Sequence, residues 1–182
     1  MSICHFLLYV QKSNRQLREC QGCLIPAKSL PKMAGMELYE RWLEICAKNR
    51  DDWAIREEAS GRTWSFAMIE EALRTLPKLE SGRCVSAVAR EGVVPFVLKT
   101  LQAWRDGAVL MPLERAEPEV EAALSAPAGV VHVKTTSGST GEARRVFFEA
   151  GHLAADCAQI QESMALEKKT PNLAVISAAH SY

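Results

Sequence analysis

The segment CVSAVAREGVVPFVLKTLQAWRDGAVLMP, Cys84 to Pro112, decides the fold class. Cys84 to Ala89 is a continuous run of buried-strand length, and Val94, Val97, Leu98, Leu101 and Trp104 then recur at helical spacing until Gly107 closes the pattern. Ala108-Val109-Leu110-Met111 is strand-like again before Pro112. Strand, helix and strand joined by short connections predict a right-handed parallel crossover. That is the unit of an α/β domain whose mostly parallel sheet is flanked by helices.

Upstream, Leu38, Trp42, Ile45 and Cys46 place an amphipathic helix over 37–48 with Glu40, Arg41 and Glu44 outward. Trp53 to Arg56 predicts a short strand, Ser60-Gly61-Arg62 a turn and Thr63-Trp64 a return strand. Ser65 can cap a second helix whose stripe is Phe66, Ile69, Leu73 and Leu76, stopped by Pro77. The four tryptophans, Trp42, Trp53, Trp64 and Trp104, read as core residues, and Glu70-Glu71 with Glu117, Glu119 and Glu121 as solvated helix faces.

Downstream, Pro118 opens a short helix through Leu124 that Pro127-Ala128-Gly129 ends. Gly129 to Lys134 and Val146 to Phe148 predict two strands, with His132 on the exposed face of the first. Leu153, Cys157, Ile160 and Met164 mark a further helix. Asn172 to Ala178 forms a last apolar strand that delivers His180-Ser181-Tyr182 at its C-terminal end, where open α/β sheets build their binding crevices.

Between the two strands lies Thr136-Ser137-Gly138-Ser139-Thr140-Gly141. Its glycines leave backbone N–H groups free to turn toward one point, and its hydroxyls can donate to the same point, as phosphate oxygens require. Arg144 and Arg145 supply positive charge just beyond. No Gly-Lys-Ser/Thr opens a helix here, so the stretch is a Ser/Thr/Gly-rich flap between strands and not a Walker loop. The six residues by themselves also suit a polar hairpin turn.

At 182 residues the chain supports one domain of ordinary size. Acidic and basic residues balance at 22 each, so no global field favours nucleic acid or an anionic membrane. Cys46, Cys84 and Cys157 stand singly in apolar patterns and read as buried thiols. Cys20-Gln21-Gly22-Cys23 lacks the second pair that a zinc site needs, and no metal ligands are assigned. The apolar run Ile3 to Val10 is too short to span a membrane and lacks signal-peptide flanks, so a cytoplasmic location is expected. Residues 1–35 read as a disordered leader or a misassigned start, with the domain proper over 36–182.

From about Met36 onward the chain resembles the adenylate-forming (AMP-binding) enzymes, which include acyl-CoA synthetases, luciferases and peptide-synthetase adenylation domains. The likeness is carried by Arg62-Thr63-Trp64-Ser65-Phe66, by Ser81-Gly82-Arg83-Cys84-Val85, by Ala103 to Leu113, by Thr136 to Val146 and by Ala179-His180-Ser181-Tyr182, in that order. The family's Pro-Lys-Gly appears here as Ala143-Arg144-Arg145, so Arg144 keeps the charge but exchanges an ammonium for a guanidinium fork. Its Thr-His after the loop appears as Glu149-Ala150.

The resemblance implies ATP-dependent activation of a carboxylic acid to an acyl-adenylate, then transfer to a thiol such as coenzyme A or a carrier's phosphopantetheine. It assigns Thr136, Ser137, Gly138, Ser139, Thr140, Gly141 and Arg144 to the departing phosphates with Mg2+, and His180 as a catalytic residue near the carboxylate. It also implies that 36–182 corresponds to the first part of the family's large N-terminal domain, so that this chain alone is expected to be inactive. The competing expectation is a non-catalytic fragment, or one half of a split enzyme completed by a second chain. A third, weaker reading is a small phosphate-binding domain outside the family.

Overall fold

A computed structural model describes residues 35–58, 60–117, 124–136 and 144–163, together with 177 and 179. The first helix, α1 (Met36–Lys48), buries Leu38, Trp42, Ile45 and Cys46, the stripe its sequence prescribes. Gly35 precedes it at φ 85, and a Cβ there would stand 3.1 Å from the Cα of Trp104. Only glycine combines that left-handed angle with so close an approach to another helix. At the other end the Asn49 amide donates to the Ile45 carbonyl at 3.0 Å and stops the helix.

Strands β1 (Trp53–Glu57) and β2 (Arg62–Ser65) form an antiparallel hairpin with Trp53 opposite Ser65 and Glu57 opposite Arg62. Its turn is held by the Arg62 N–H donating to Ser60 Oγ at 3.2 Å. Trp53 departs from the core reading: it is 55% exposed. The reason is its place at the start of a strand in a separate two-stranded ribbon, where one face remains in water. Trp64 is half-buried, with the Arg62 guanidinium 4.3 Å above its ring.

Helix α2 (Phe66–Thr75) begins where Ser65 Oγ accepts from the Met68 N–H at 3.2 Å. The Asp52 and Arg50 carbonyls accept from Phe66 and Ala67, so all three leading N–H groups are satisfied. Phe66, Ile69 and Leu73 are buried. Glu70, read as solvated, is instead largely shielded, with Arg74 at 2.5 Å and Arg50 at 3.7 Å. One helical turn and the neighbouring loop converge on it.

The predicted crossover follows as β3 (Cys84–Val88), a 3₁₀ turn (Ala89–Glu91), α3 (Val93–Asp106) and β4 (Val109–Leu113). Gly107, at φ 68, lets the Ala108 N–H reach back to the Ala103 carbonyl at 2.9 Å, a Schellman-type closure. β3 and β4 pair in parallel from Cys84–Val109 to Val88–Leu113. Pro112 does not end β4; the strand runs through it, past the register pair Leu110–His132 that joins β4 to β5.

β5 (Val130–Thr136) lies parallel to β4, and β6 (Arg144–Glu149) returns antiparallel to β5 before α4 (Ala150–Ser163). The sheet order is β3-β4-β5-β6, mixed but mostly parallel. The expected short helix over 118–124 falls almost wholly outside the described residues, as do the strand over 172–178, apart from Ser177, and the Cys20–Cys23 pair.

One sheet face carries Val85, Ala87, Leu110 and Val131 into a core with Trp42, Ile45, Phe66, Ile69, Leu73 and Trp104 from the helices and Leu153 and Cys157 from α4. The opposite face carries Cys84, Val109, Met111, Leu113, Val130 and Val133, with Leu124 and Ala126 against them. Burying each large side chain contributes about 1.5–3 kcal/mol, which makes the helix-side cluster the principal source of stability. Cys46, Cys84 and Cys157 are buried, as expected. Burial, with Glu70 adding to it, pushes the Cys46 thiol up to about 12.

His132 corrects the sequence reading outright: it is fully buried, not exposed. Between the pairs Val130–Glu149 and His132–Phe148, β5 holds one more residue than β6. This bulge at Val131 breaks the alternation and turns Val131 and His132 to the same, helix-covered face. The imidazole meets the Phe148 ring edge-on at 5.8 Å, and neither ring nitrogen has a hydrogen-bond partner.

Candidate functional site

The Ser/Thr/Gly stretch joins the ends of the β5–β6 hairpin. Lys134 stands opposite Val146, Thr135 opposite Arg145 and Thr136 opposite Arg144, so the connection from 137 to 143 closes over one register pair. Thr136 and Arg144 are therefore set across from each other at the base of the loop. Ser137, Gly138, Ser139, Thr140 and Gly141 lie outside the described residues, as does His180.

Within the last three register pairs, three residues are basic (Lys134, Arg144 and Arg145) and none is acidic. Side chains alternate along a strand, so Lys134 and Arg144 share the face of His132 and Phe148 while Arg145 takes the other. The charge of Lys134 reaches His132: burial first, then Lys134, lowers its pKa to about 3, so the imidazole is neutral at neutral pH. Arg144 and Arg145 are exposed. Sequence reading found Arg144 but passed over Lys134, because only the antiparallel register shows that positions ten apart are diagonal neighbours.

Counting the parallel register forward brings a second group to the same end of the sheet. Leu110 is level with His132 and Val88 with Leu113. Glu114 is consequently level with Thr136 on one side and Ala89 on the other. Glu114 Oε1 lies 3.6 Å from Arg90 Nε, and Glu114 Oε2 accepts from Ser177 Oγ at 2.5 Å. Ser177 Oγ in turn accepts from the Ala179 N–H at 3.3 Å. The hairpin end, the 3₁₀ turn after β3, the residue after β4 and Ser177 thus gather at the C-terminal ends of the parallel strands. Open α/β sheets bind their ligands there. Sequence reading missed Arg90, Glu114 and Ser177, whose only signal is their position just past strand ends.

Among the described residues no group of three or more His, Cys, Asp or Glu could hold a metal ion, and no helix is long and apolar enough to cross a membrane.

No family model matches the chain, and a search of curated proteins finds no match. Solved structures do resemble it. The N-terminal subdomain of NpsA from Klebsiella oxytoca, in complex with anthranilyl-AMSN, is similar over 63% of this chain at 16% identity and a TM-score of 0.44. ATP-bound MatB from Rhodopseudomonas palustris is similar over 71% at 17% identity and a TM-score of 0.49. NpsA with 3-hydroxyanthranilyl-AMSN is similar over 67% at 13% identity and a TM-score of 0.40. The chain spans 38% to 43% of the length of these structures.

Proposed function

We propose that this chain grips the phosphates of ATP in the activation of a carboxylic acid to an acyl-adenylate, with the acyl group passing afterwards to a thiol. The observation that carries the reading is the joining of a Ser/Thr/Gly stretch to a hairpin end whose last three register pairs hold three cations and no acid. A chain of phosphate oxygens needs convergent N–H and O–H donors and a countercharge. The stretch from Thr136 to Gly141 supplies the donors and Arg144 the countercharge, with Lys134 on the same face.

The reaction depends on positioning and charge neutralisation at phosphorus. In this reading Ser137, Ser139, Thr140 and Arg144 hold the β- and γ-phosphates as they leave, and His180 stands near the substrate carboxylate. Magnesium would arrive on the nucleotide; no residue of this chain is assigned to it. The thiol acceptor is coenzyme A or a phosphopantetheine, and a second chain would supply elements for the adenine and ribose.

Titration with ATP tests the grip. Binding that weakens about tenfold in Arg144→Ala is expected; no affinity in the wild-type protein overturns it. Pyrophosphate exchange with a panel of carboxylic acids, with and without candidate partner chains, tests the chemistry. Exchange in none of these mixtures removes the adenylation reading.

A further inference from the structure

The sheet ends differently on its two sides. β3, at one edge, is buried at every position but Ser86. β6, at the other, is exposed from Arg144 to Phe147 and again at Glu149, and among the described residues no strand lies beyond it. Natural sheets blunt such an edge with charges, proline or a bulge. On β6 the charges stand only at the ends: Arg144 and Arg145 lead and Glu149 closes, while Val146-Phe147-Phe148 between them carries neither charge nor proline. A strand that is basic at one end and acidic at the other complements itself when reversed.

The register of such a self-pairing is restricted by the backbone. Residues directly opposite in an antiparallel ladder are either both bonded across it or both turned away, and the two states alternate along each strand. A strand meeting its own copy about a twofold axis must therefore centre on a residue and not between two. Centred on Arg145, like charges face each other. Centred on Val146, Arg145 faces Phe147 and Arg144 faces Phe148; centred on Phe148, Phe147 faces Glu149 and Arg145 is unmatched. Centred on Phe147, Arg145 faces Glu149, Val146 faces Phe148 and Phe147 faces itself. Only this last register matches charge with charge and apolar with apolar. Side chains alternate, so Arg145, Phe147 and Glu149 share one face, that of Val133, which stands opposite Phe147 on β5. The two ion pairs would flank the paired phenylalanines on that face.

We propose that β6 is a homodimer interface, in which two copies of this chain pair antiparallel about a twofold axis at Phe147 and Arg145 of each faces Glu149 of the other. The joint is isologous, so it closes after two copies and does not grow into a fibre. Arg144 would face Ala150, the first residue of α4, and so lies past the end of the ladder. The two hairpin ends therefore leave the joint in opposite directions, each outside it.

Sedimentation of the full chain over a range of protein concentrations is expected to show a monomer–dimer equilibrium with no larger species. Arg145→Glu and Glu149→Arg each set like charges opposite one another and should weaken dimerisation about tenfold. Combining the two restores opposite charges across the axis and should bring the affinity back to within about threefold of wild type. A register check independent of charge comes from Phe147→Cys, whose introduced thiols should join the two copies in a disulfide under mild oxidation. Val146→Cys should not cross-link, because Val146 faces Phe148 of the partner subunit. If a charge variant fails to fold, the two cysteine variants decide alone. The proposal is overturned by a wild-type protein that stays monomeric at every concentration, by a double variant no tighter than the single ones, or by cross-linking that is equal at 146 and 147.

Discussion

His132 and Asp106 are both buried polar side chains, and they are handled in opposite ways. His132 has no partner for either nitrogen. Its unfolded value is near 6.5 and its folded value about 3, so the unfolded chain takes up a proton first as pH falls. Stability is then complete above about pH 6.5 and declines by about 1.4 kcal/mol per pH unit toward pH 3. His132→Leu should flatten that acid slope and raise stability at neutral pH by about 1–2 kcal/mol, since two unsatisfied nitrogens are removed; urea titrations at several pH values check both effects. Asp106, only 4% exposed, is fully engaged instead: it accepts from the Leu79 N–H at 2.9 Å and from Arg105 Nε and NH2 at 2.8 Å each. Burial pushes its carboxyl up, but Arg105 and the Leu79 N–H outweigh burial and hold it below the usual range. Arg105 also donates to the Leu73 carbonyl at 2.7 Å, so the end of α2 is tied to the end of α3. Asp106→Ala should cost about 3 kcal/mol, measured as a lower denaturation midpoint. Neither role was legible in the sequence, where Asp106 is one charge in an Arg-Asp pair and His132 one polar residue in a strand.

The helices and strands themselves were legible where a period ran unbroken. The stripes of α1, α2 and α3, the Ser65 cap and the Gly107 closure all follow from spacing and from residues with special backbone needs. Trp53 was misread because hydrophobicity says nothing of whether a strand joins the main sheet or a separate ribbon. Gly35 shows a requirement the sequence hides: its lack of a side chain matters because of Trp104, about seventy positions away. Gly35→Ala should destabilise by about 1–3 kcal/mol, combining strain at positive φ with a shift of α1 away from α3; a lower thermal midpoint with reduced burial of Trp42 fluorescence is the expected signature.

At the scale of the molecule, and among the described residues, the sheet leaves β6 at one edge with Val146 39% and Phe147 36% exposed. Such an edge invites pairing between copies. Phe147→Lys should reduce concentration-dependent light scattering while leaving the thermal midpoint within about 1 kcal/mol of stability. The loop chemistry could be read from composition, but its setting could not, because the sheet order and the bulge at Val131 are properties of pairing. That bulge sends two consecutive side chains, Val131 and His132, to the helix-covered face where strict alternation would send one. Deleting Val131 would restore an unbroken ladder, with Val130 and His132 opposite Glu149 and Phe148, and would leave Lys134 and Arg144 on their present side. The extra residue is thus spent on filling the space beneath β5, and the proposed anion grip keeps its orientation without it.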